Sequence, residues 1–145
     1  MILFVDSSVL VKLYIAEPGS ERMREAAAQG SSVAASRLAF AEIHATFARR
    51  SREGLLLASE LEQLRRRFAE DWEGITQMPV GAEVLALIPG LCDRHPLRGA
   101  DAVHLASALL LDQEGLEITF ACSDRLLLGA ADSEGLATFN TVQED

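Results

Sequence analysis

Apolar and polar positions divide the chain into short continuous apolar runs and longer stretches with helical spacing. The run Ile2–Val5 is apolar throughout and ends at Asp6, which is typical of a buried strand at the centre of a parallel sheet. Further strands are predicted at 32–36, 75–78, 116–122 and 136–139. Helices are predicted at 9–15, 21–29, 37–53, 55–72, 80–94, 98–111 and 126–131, with 143–145 as a frayed tail. This alternation predicts a parallel sheet with helices on both faces.

The helix predicted from Arg98 to Leu111 is apolar on nearly every side, and such a helix belongs in a core. Asp101 lies in its first turn, where unpaired backbone N–H groups stabilise a carboxylate. Other sequence signals predict how helices begin, break and end. Ser7-Ser8 is expected to cap the first helix, and Gly54 to join two amphipathic helices as a hairpin. Pro89-Gly90 is expected to bend or interrupt the helix at 80–94.

The composition describes one globular domain. The chain has 145 residues, and its 49% hydrophobic and 24% charged residues suit a single packed domain over 1–145. No apolar run is long enough to span a membrane, and the N-terminus lacks the pattern of an export signal. Cys92 and Cys122 form no CxxC pair, so they are interpreted as buried reduced thiols of a cytosolic protein.

The net charge of the chain bears on which classes of binding partner are expected. The formal charge of −9 argues against nucleic acid as a partner, because non-specific affinity for nucleic acid comes largely from neutralising phosphates. However, Lys12 is the only lysine, so the other basic residues are all arginine, which binds phosphate bidentately. A bound metal ion would also offset part of the acidic excess.

Carboxylates stand where the predicted elements reach one edge of the sheet. Asp6 ends the first strand, Asp124 follows the strand at 116–122, and Asp101 opens a helix. Glu42 lies early in the helix at 37–53 and can lean toward the same edge. Ligands of parallel sheets bind outside the carboxyl ends of the strands. Four crowded carboxylates need a positive partner, and Mg²⁺ or Mn²⁺ prefers oxygen ligands.

A purely structural interpretation of the same residues stays open. Aspartate and glutamate number 22 in this chain, so four of them at the ends of elements is weak evidence by count. Asp101 can be an ordinary charge at a helix N-terminus, and a helix edge can hold Glu42 without any role. His104 is interpreted as a packed histidine with one satisfied hydrogen bond rather than as a base, while His44 faces away from Glu42.

Four stretches carry a family resemblance when they are taken together and in order. They are Phe4-Val-Asp-Ser-Ser-Val-Leu-Val-Lys-Leu-Tyr14 with Glu17-Pro18, Ser36-Arg-Leu-Ala-Phe-Ala-Glu42, Leu97-Arg-Gly-Ala-Asp-Ala-Val-His-Leu-Ala106, and Phe120-Ala-Cys-Ser-Asp-Arg-Leu127. The sequence resembles the PIN-domain ribonucleases, and more closely the VapC toxins of toxin–antitoxin pairs. The resemblance implies a three-layer α/β/α fold with a mostly parallel central sheet and Mg²⁺- or Mn²⁺-dependent RNA cleavage. It also implies a homodimer and a cognate VapB-type antitoxin that occludes the acidic cleft.

Carried over residue by residue, the resemblance assigns roles to the acidic side chains. Asp6 and Asp101 are expected to bind the metal ion, and Glu42 and Asp124 to act as ligands directly or through water. Ser7 and Ser123 are expected to orient a carboxylate or a metal-bound water. Ala41 departs from the family, where a small polar residue is expected.

Two arginines lie beside the four carboxylates, and the sequence leaves more than one role open for each. Arg98 and Arg125 each sit next to one of these carboxylates, where they can bind RNA phosphate, offset the acidic cluster or make surface contacts. The apolar residues at 55–57, with Phe47 and Trp72, can form a dimer or antitoxin surface or pack the helical hairpin.

The chain lacks residues that two rival functions require. A phosphatase of the Asp-x-Asp kind needs a second aspartate where this chain has Ser8, and a receiver domain needs a late lysine that is absent after Lys12. A non-catalytic module with the PIN fold that binds RNA or protein remains the alternative to a ribonuclease.

Overall fold

The computed structural model describes residues 1–29 and 32–142. Within them the strands are β1 (Ile2–Val5), β2 (Ser32–Ser36), β3 (Thr76–Met78), β4 (Ile118–Cys122) and β5 (Ala137–Asn140). The helices are α1 (Ser7–Leu10), α2 (Ser20–Ala28), α3 (Leu38–Arg52), α4 (Ala58–Glu73), α5 (Ala82–Arg94), α6 (Gly99–Gln113) and α7 (Arg125–Ser133), and a 3₁₀ turn (Val11–Leu13) follows α1. The predicted order of strands and helices is confirmed. The tail predicted at 143–145 lies outside the described residues.

The strands form one sheet in the order β3-β2-β1-β4-β5, and every pair is parallel. In the central strand β1, Phe4 lies opposite Ala34 of β2 and Phe120 of β4. The rings of Phe4 and Phe120 stack with centroids 5.9 Å apart. Because all strands run in the same direction, their carboxyl ends meet at one edge, and the residues that follow β1 and β4 arrive there together.

Each face of the sheet has its own apolar core. Leu3 and Val5 pack with α1 to α4 on one face, whereas Phe4, between them in sequence, packs with α5 to α7 on the other. Successive side chains of a strand point to opposite faces, so a continuous apolar run serves both cores. The expected α/β fold with three layers is confirmed. Helix α6 is buried along much of its length, as its apolar sequence predicted.

Several predicted boundaries are wrong, with local causes. Helix α4 begins at Ala58 rather than at residue 55, because Glu60 accepts a hydrogen bond from the Leu57 backbone N–H at 2.9 Å and fixes the start there. Leu55 and Leu57 consequently lie in the connection between α3 and α4, where they are 60% and 68% exposed. Phe47 and Trp72 are buried, so core packing of the hairpin accounts for them.

Two further expectations need correction. Helix α5 runs through Pro89 without interruption, while Val84 and Leu91 on either side are buried in the core that α5 shares with α6. Tertiary packing of this kind can outweigh a single unfavourable residue. Both cysteines are free, as expected, but only Cys122 is buried, and Cys92 is exposed. None of the described helices is long and apolar enough to cross a membrane.

Candidate active site

Asp6 occupies the step from β1 into α1 and is 5% exposed. Its Oδ1 accepts hydrogen bonds from the Ser8 hydroxyl at 2.6 Å and from the Val9 backbone N–H at 3.2 Å. Asp6 is therefore the N-cap of α1, rather than the Ser7-Ser8 pair that the sequence suggested. Burial raises the pKa of Asp6 and the Asp101 charge adds to this rise, whereas the hydrogen bonds from Ser8 and Val9 and the charge of a protonated His104 oppose it.

Asp124 has the same place after β4. Its Oδ1 accepts hydrogen bonds from the backbone N–H groups of Leu126 at 2.8 Å and Leu127 at 3.2 Å, which caps α7. The preceding residue, Ser123, donates from its hydroxyl to the Ser8 hydroxyl at 3.2 Å. A chain of hydroxyl groups thus links the end of β4 to Asp6. Ser8 was not selected as a site residue from the sequence.

Asp101 lies in the first turn of α6, and Arg98 is the residue just before this helix. Arg98 Nε is 3.6 Å from Asp101 Oδ2, and Arg98 Nη2 is 3.8 Å from Asp124 Oδ2. The Arg98 side chain is 85% exposed, so solvent weakens both ion pairs. The guanidinium of Arg98 therefore lies near two of the four acidic residues, Asp101 and Asp124.

Glu42 approaches from α3 and meets His104 of α6. His104 Nε2 is 2.6 Å from Glu42 Oε1, and the histidine side chain is 2% exposed. Burial alone would raise the pKa of Glu42, but the hydrogen bond from His104, its charge when the ring is protonated, and the neighbouring Ser7 hold that pKa below its ordinary value. The expectation of a packed His104 with one hydrogen bond is confirmed, although its partner is one of the acidic residues themselves.

These side chains border one cleft of about 480 Å³, at the carboxyl edge of the sheet. It is lined by Asp6, Ser7, Ser8, Glu42, Arg98, Ala100, Asp101, His104, Ser123 and Asp124. All four predicted carboxylates and both predicted serines come together here. Arg125 starts α7 and is exposed, but it is not among the residues that line the cleft.

The cleft is not arranged as a finished ligand shell. In residues 1–29 and 32–142, no group of three or more His, Cys, Asp or Glu side chains is positioned to hold a metal ion together. Each of the four carboxylates instead has a partner within the protein. Asp6 and Asp124 each use one oxygen as a helix cap, Glu42 binds His104, and Arg98 lies beside Asp101.

Comparison with known proteins identifies the family. The profile of the PIN domain matches residues 3–141. Ribonuclease VapC45 of Mycobacterium tuberculosis (strain CDC 1551 / Oshkosh) is 37% identical over 135 residues, which is 92% of this chain and 92% of that protein. Ribonuclease VapC49 of Mycobacterium tuberculosis (strain ATCC 25618 / H37Rv) has the same identity and coverage.

Solved structures share the fold. FitAcB from Neisseria gonorrhoeae has a TM-score of 0.70 at 22% identity, and the match covers 99% of this chain and 100% of that chain. A toxin–antitoxin complex from Klebsiella pneumoniae has a TM-score of 0.63 at 15% identity, with 89% and 92% covered. At such identities the likeness concerns the fold alone. The family profile and the two ribonucleases together show that this chain belongs to the PIN-domain family and, within it, to the VapC ribonucleases.

Proposed function

We propose that this chain is a metal-dependent endoribonuclease, the toxin of a VapBC-type pair, which hydrolyses RNA phosphodiester bonds. One observation carries the proposal. Four carboxylates that are far apart in sequence, Asp6, Glu42, Asp101 and Asp124, line one cleft in a chain 37% identical to two ribonucleases. Carboxylate oxygens, with no thiol among the residues that line the cleft, suit a hard divalent cation.

The donor set fits Mg²⁺ or Mn²⁺ as the bound ion. Mg²⁺ usually keeps several waters and takes only one or two carboxylates, with substrate phosphate oxygens filling other positions. A closed shell of three protein ligands is therefore not required. Asp6 and Asp101 are the proposed direct ligands, because burial beside the Asp101 charge makes an ionised Asp6 unfavourable without a cation. Glu42 and Asp124 would act as ligands directly or through water.

Hydrogen-bonding groups around the proposed metal site orient its carboxylate ligands. Ser8 and the Val9 N–H orient Asp6, and the first turn of α7 orients Asp124. Ser123 supports Ser8, and Ser7 lies next to Glu42. A bound divalent ion supplies positive charge for the phosphodiester and lowers the pKa of a coordinated water. Residues of this chain then hold the carboxylates in place while the phosphate enters.

Arg98 is the proposed contact to RNA phosphate within the cleft. Its guanidinium is exposed and, among the described residues, is held only by long ion pairs, so it can exchange Asp101 and Asp124 for a phosphate oxygen. Arg125 is a second candidate beside the cleft, at the start of α7. Neutralisation of the acidic cleft by metal ions would reduce the repulsion of RNA that the net charge of −9 creates.

Proposed partners follow from the family. A VapB-type antitoxin would bind this chain and occlude the acidic cleft, and the fold of the chain is shared with a toxin–antitoxin complex from Klebsiella pneumoniae. A homodimer is also proposed, and the exposed Leu55 and Leu57 are available for a protein contact. The free cysteines are in keeping with a cytoplasmic location.

The first test is cleavage of RNA by purified protein freed of antitoxin, in Mn²⁺ or Mg²⁺ and in EDTA, with Asp101→Asn as the paired variant. We expect cleavage in either metal, none in EDTA, and a loss of about a thousandfold in the variant, since metal-ion charge stabilisation contributes several kcal/mol. Full activity of a folded Asp101→Asn protein would contradict the assignment. Metal binding without cleavage of any cellular RNA would favour the non-catalytic binding module.

A further inference from the structure

His104 joins two of the helices that build the cleft. It lies three residues after Asp101 on α6, so both side chains share one face of that helix. Across the cleft, His104 Nε2 contacts Glu42 Oε1 of α3 at 2.6 Å. One face of α6 therefore carries Asp101 and, through His104, also binds Glu42 of α3.

Packing alone does not explain a histidine at this position. Its neighbours Leu105, Ala106 and Ala108 are fully buried and apolar, and His104 itself is 2% exposed. Burying a polar ring is unfavourable unless its nitrogens are hydrogen-bonded, and Nδ1 has no partner in the described part of the chain. A leucine would suit this helix better. The polar contact to Glu42 is thus the interaction that the histidine provides.

Glu42 needs such a contact. Its side chain is 32% exposed and has several rotatable bonds, so an unrestrained carboxylate would sample many rotamers. A short hydrogen bond to a buried ring removes most of that freedom. Since the ring belongs to α6, the bond also sets where the Glu42 carboxylate stands relative to Asp101.

We propose that His104 is the positioning residue for Glu42: its Nε2–H holds Oε1 and so fixes the Glu42 carboxylate beside Asp101 for metal binding. This inference rests on the proposed function. It differs from a role in proton transfer, because His104 would affect metal binding through Glu42 rather than act on the reacting atoms.

The test measures the Kd for Mn²⁺ by calorimetry on the metal-free protein, in a set of paired variants. His104→Leu suits the buried, apolar surroundings of this position on α6 but removes the hydrogen-bond donor. His104→Gln restores an N–H donor at a similar reach. Loss of a residue that orients a metal ligand typically weakens metal affinity by about ten- to a hundredfold. We expect that loss in His104→Leu and at least partial recovery in His104→Gln.

The variant Glu42→Ala separates positioning from a general structural effect. If His104 acts through Glu42, adding His104→Leu to Glu42→Ala leaves the Kd for Mn²⁺ unchanged. Leu105→Ala serves as the matched control, because it damages the core one residue along the same helix without touching the cleft. It should lower the melting temperature and leave the Kd for Mn²⁺ as in wild type.

Four results would contradict this inference or the proposed function on which it rests. Wild-type Mn²⁺ affinity in His104→Leu, or an equal loss with and without Glu42, would overturn the positioning role while the proposed function stands. Absence of Mn²⁺ binding by the wild-type protein would overturn the proposed function, and this inference with it. ¹⁵N NMR of the His104 ring gives a check without replacing the histidine: we expect a proton on Nε2, and a bare Nε2 would overturn the proposal.

Discussion

Carboxylates have opposite surroundings in the cleft and around Glu17. Glu17 Oε1 is 3.0 Å from Lys12 Nζ, and its Oε2 is 3.3 Å from Arg50 Nη2. Lys12 is buried and also donates to the carbonyl of Pro18 at 2.7 Å. One carboxylate is thus shared by two cations, and this cluster ties the turn before α2 to α3.

In the cleft the balance is reversed. Its lining contains four carboxylates and, within the described residues, a single arginine that is 85% exposed. Buried carboxylates that repel each other make the native state less stable unless a cation joins them. From this difference we expect the charges around Glu17 to stabilise the fold and the carboxylates of the cleft to be available for a ligand. Each of the following experiments tests one side of this contrast.

The largest expected effect is on catalysis. Asp6→Asn should reduce RNA cleavage by about a thousandfold, because a neutral amide binds the ion far less well than a carboxylate. Asparagine remains a good helix N-cap, so α1 should persist. Glu17→Gln is the matched control on the other side of the contrast, and its cleavage rate per folded molecule should equal that of wild type. Rates are measured well below the melting temperature of either variant. Loss of activity in both would contradict the contrast.

The next effect is on stability. Glu17→Gln should lower the free energy of unfolding by about 3 kcal/mol, because breaking a buried ion pair leaves the Lys12 charge without its partner. Adding Lys12→Met should recover much of this loss, since the buried charge is then gone as well. Urea unfolding of the two variants measures both steps. A single variant as stable as wild type would show that the cluster does not serve the fold.

Metal binding should stabilise the protein through the cleft. At a free Mn²⁺ concentration of about 100 times Kd, binding to the native state alone adds about 2.7 kcal/mol to the free energy of unfolding. For a domain of this size the melting temperature should rise by about 5–10 °C. Thermal melts in Mn²⁺ and in EDTA measure the shift. Glu17→Gln should show the same shift as wild type and Asp6→Asn almost none. An equal shift in Asp6→Asn would place the ion elsewhere.

The smallest effect concerns the metal-free cleft. Burial raises the pKa of Asp6 above its ordinary value of 3.8, so the native state holds this proton more tightly than the unfolded chain does. Stability contributed by Asp6 therefore falls as the pH rises from about 3.8 through the folded-state pKa. In EDTA at neutral pH, Asp6→Asn should be slightly more stable than wild type, and the gap should close below that range. Thermal melts across pH test this, and a less stable variant at neutral pH would contradict it.

Much of the fold was predictable because strands and helices follow local patterns. The apolar run at residues 2–5 predicted a central strand, and β1 indeed lies between β2 and β4. The predicted convergence of Asp6, Asp101 and Asp124 at one edge needed only the parallel direction of the strands. Glu42 was placed there because of its position early in α3, and it lines the same cleft.

Errors arose where tertiary packing or a helix cap overrides the pattern of apolar residues or the preference of a residue type. Pro89 does not interrupt α5, whose buried residues belong to the same core as α6. Residues 55–57 have helical spacing, yet the Glu60 cap starts α4 after them. Cys92 was expected to be buried because of its residue type, but it lies on the solvent-exposed face of α5.

The order of apolar and acidic residues is enough to establish the three-layer α/β fold and the four carboxylates at one sheet edge, because strand direction and residue period are local properties. The contacts that orient those carboxylates depend on the folded chain. Ser123 reaches Ser8 across 115 positions, and His104 reaches Glu42 across 62. Such pairs form only when two elements pack at a particular distance and angle. That geometry results from side-chain packing in both cores, which no local pattern of the sequence encodes.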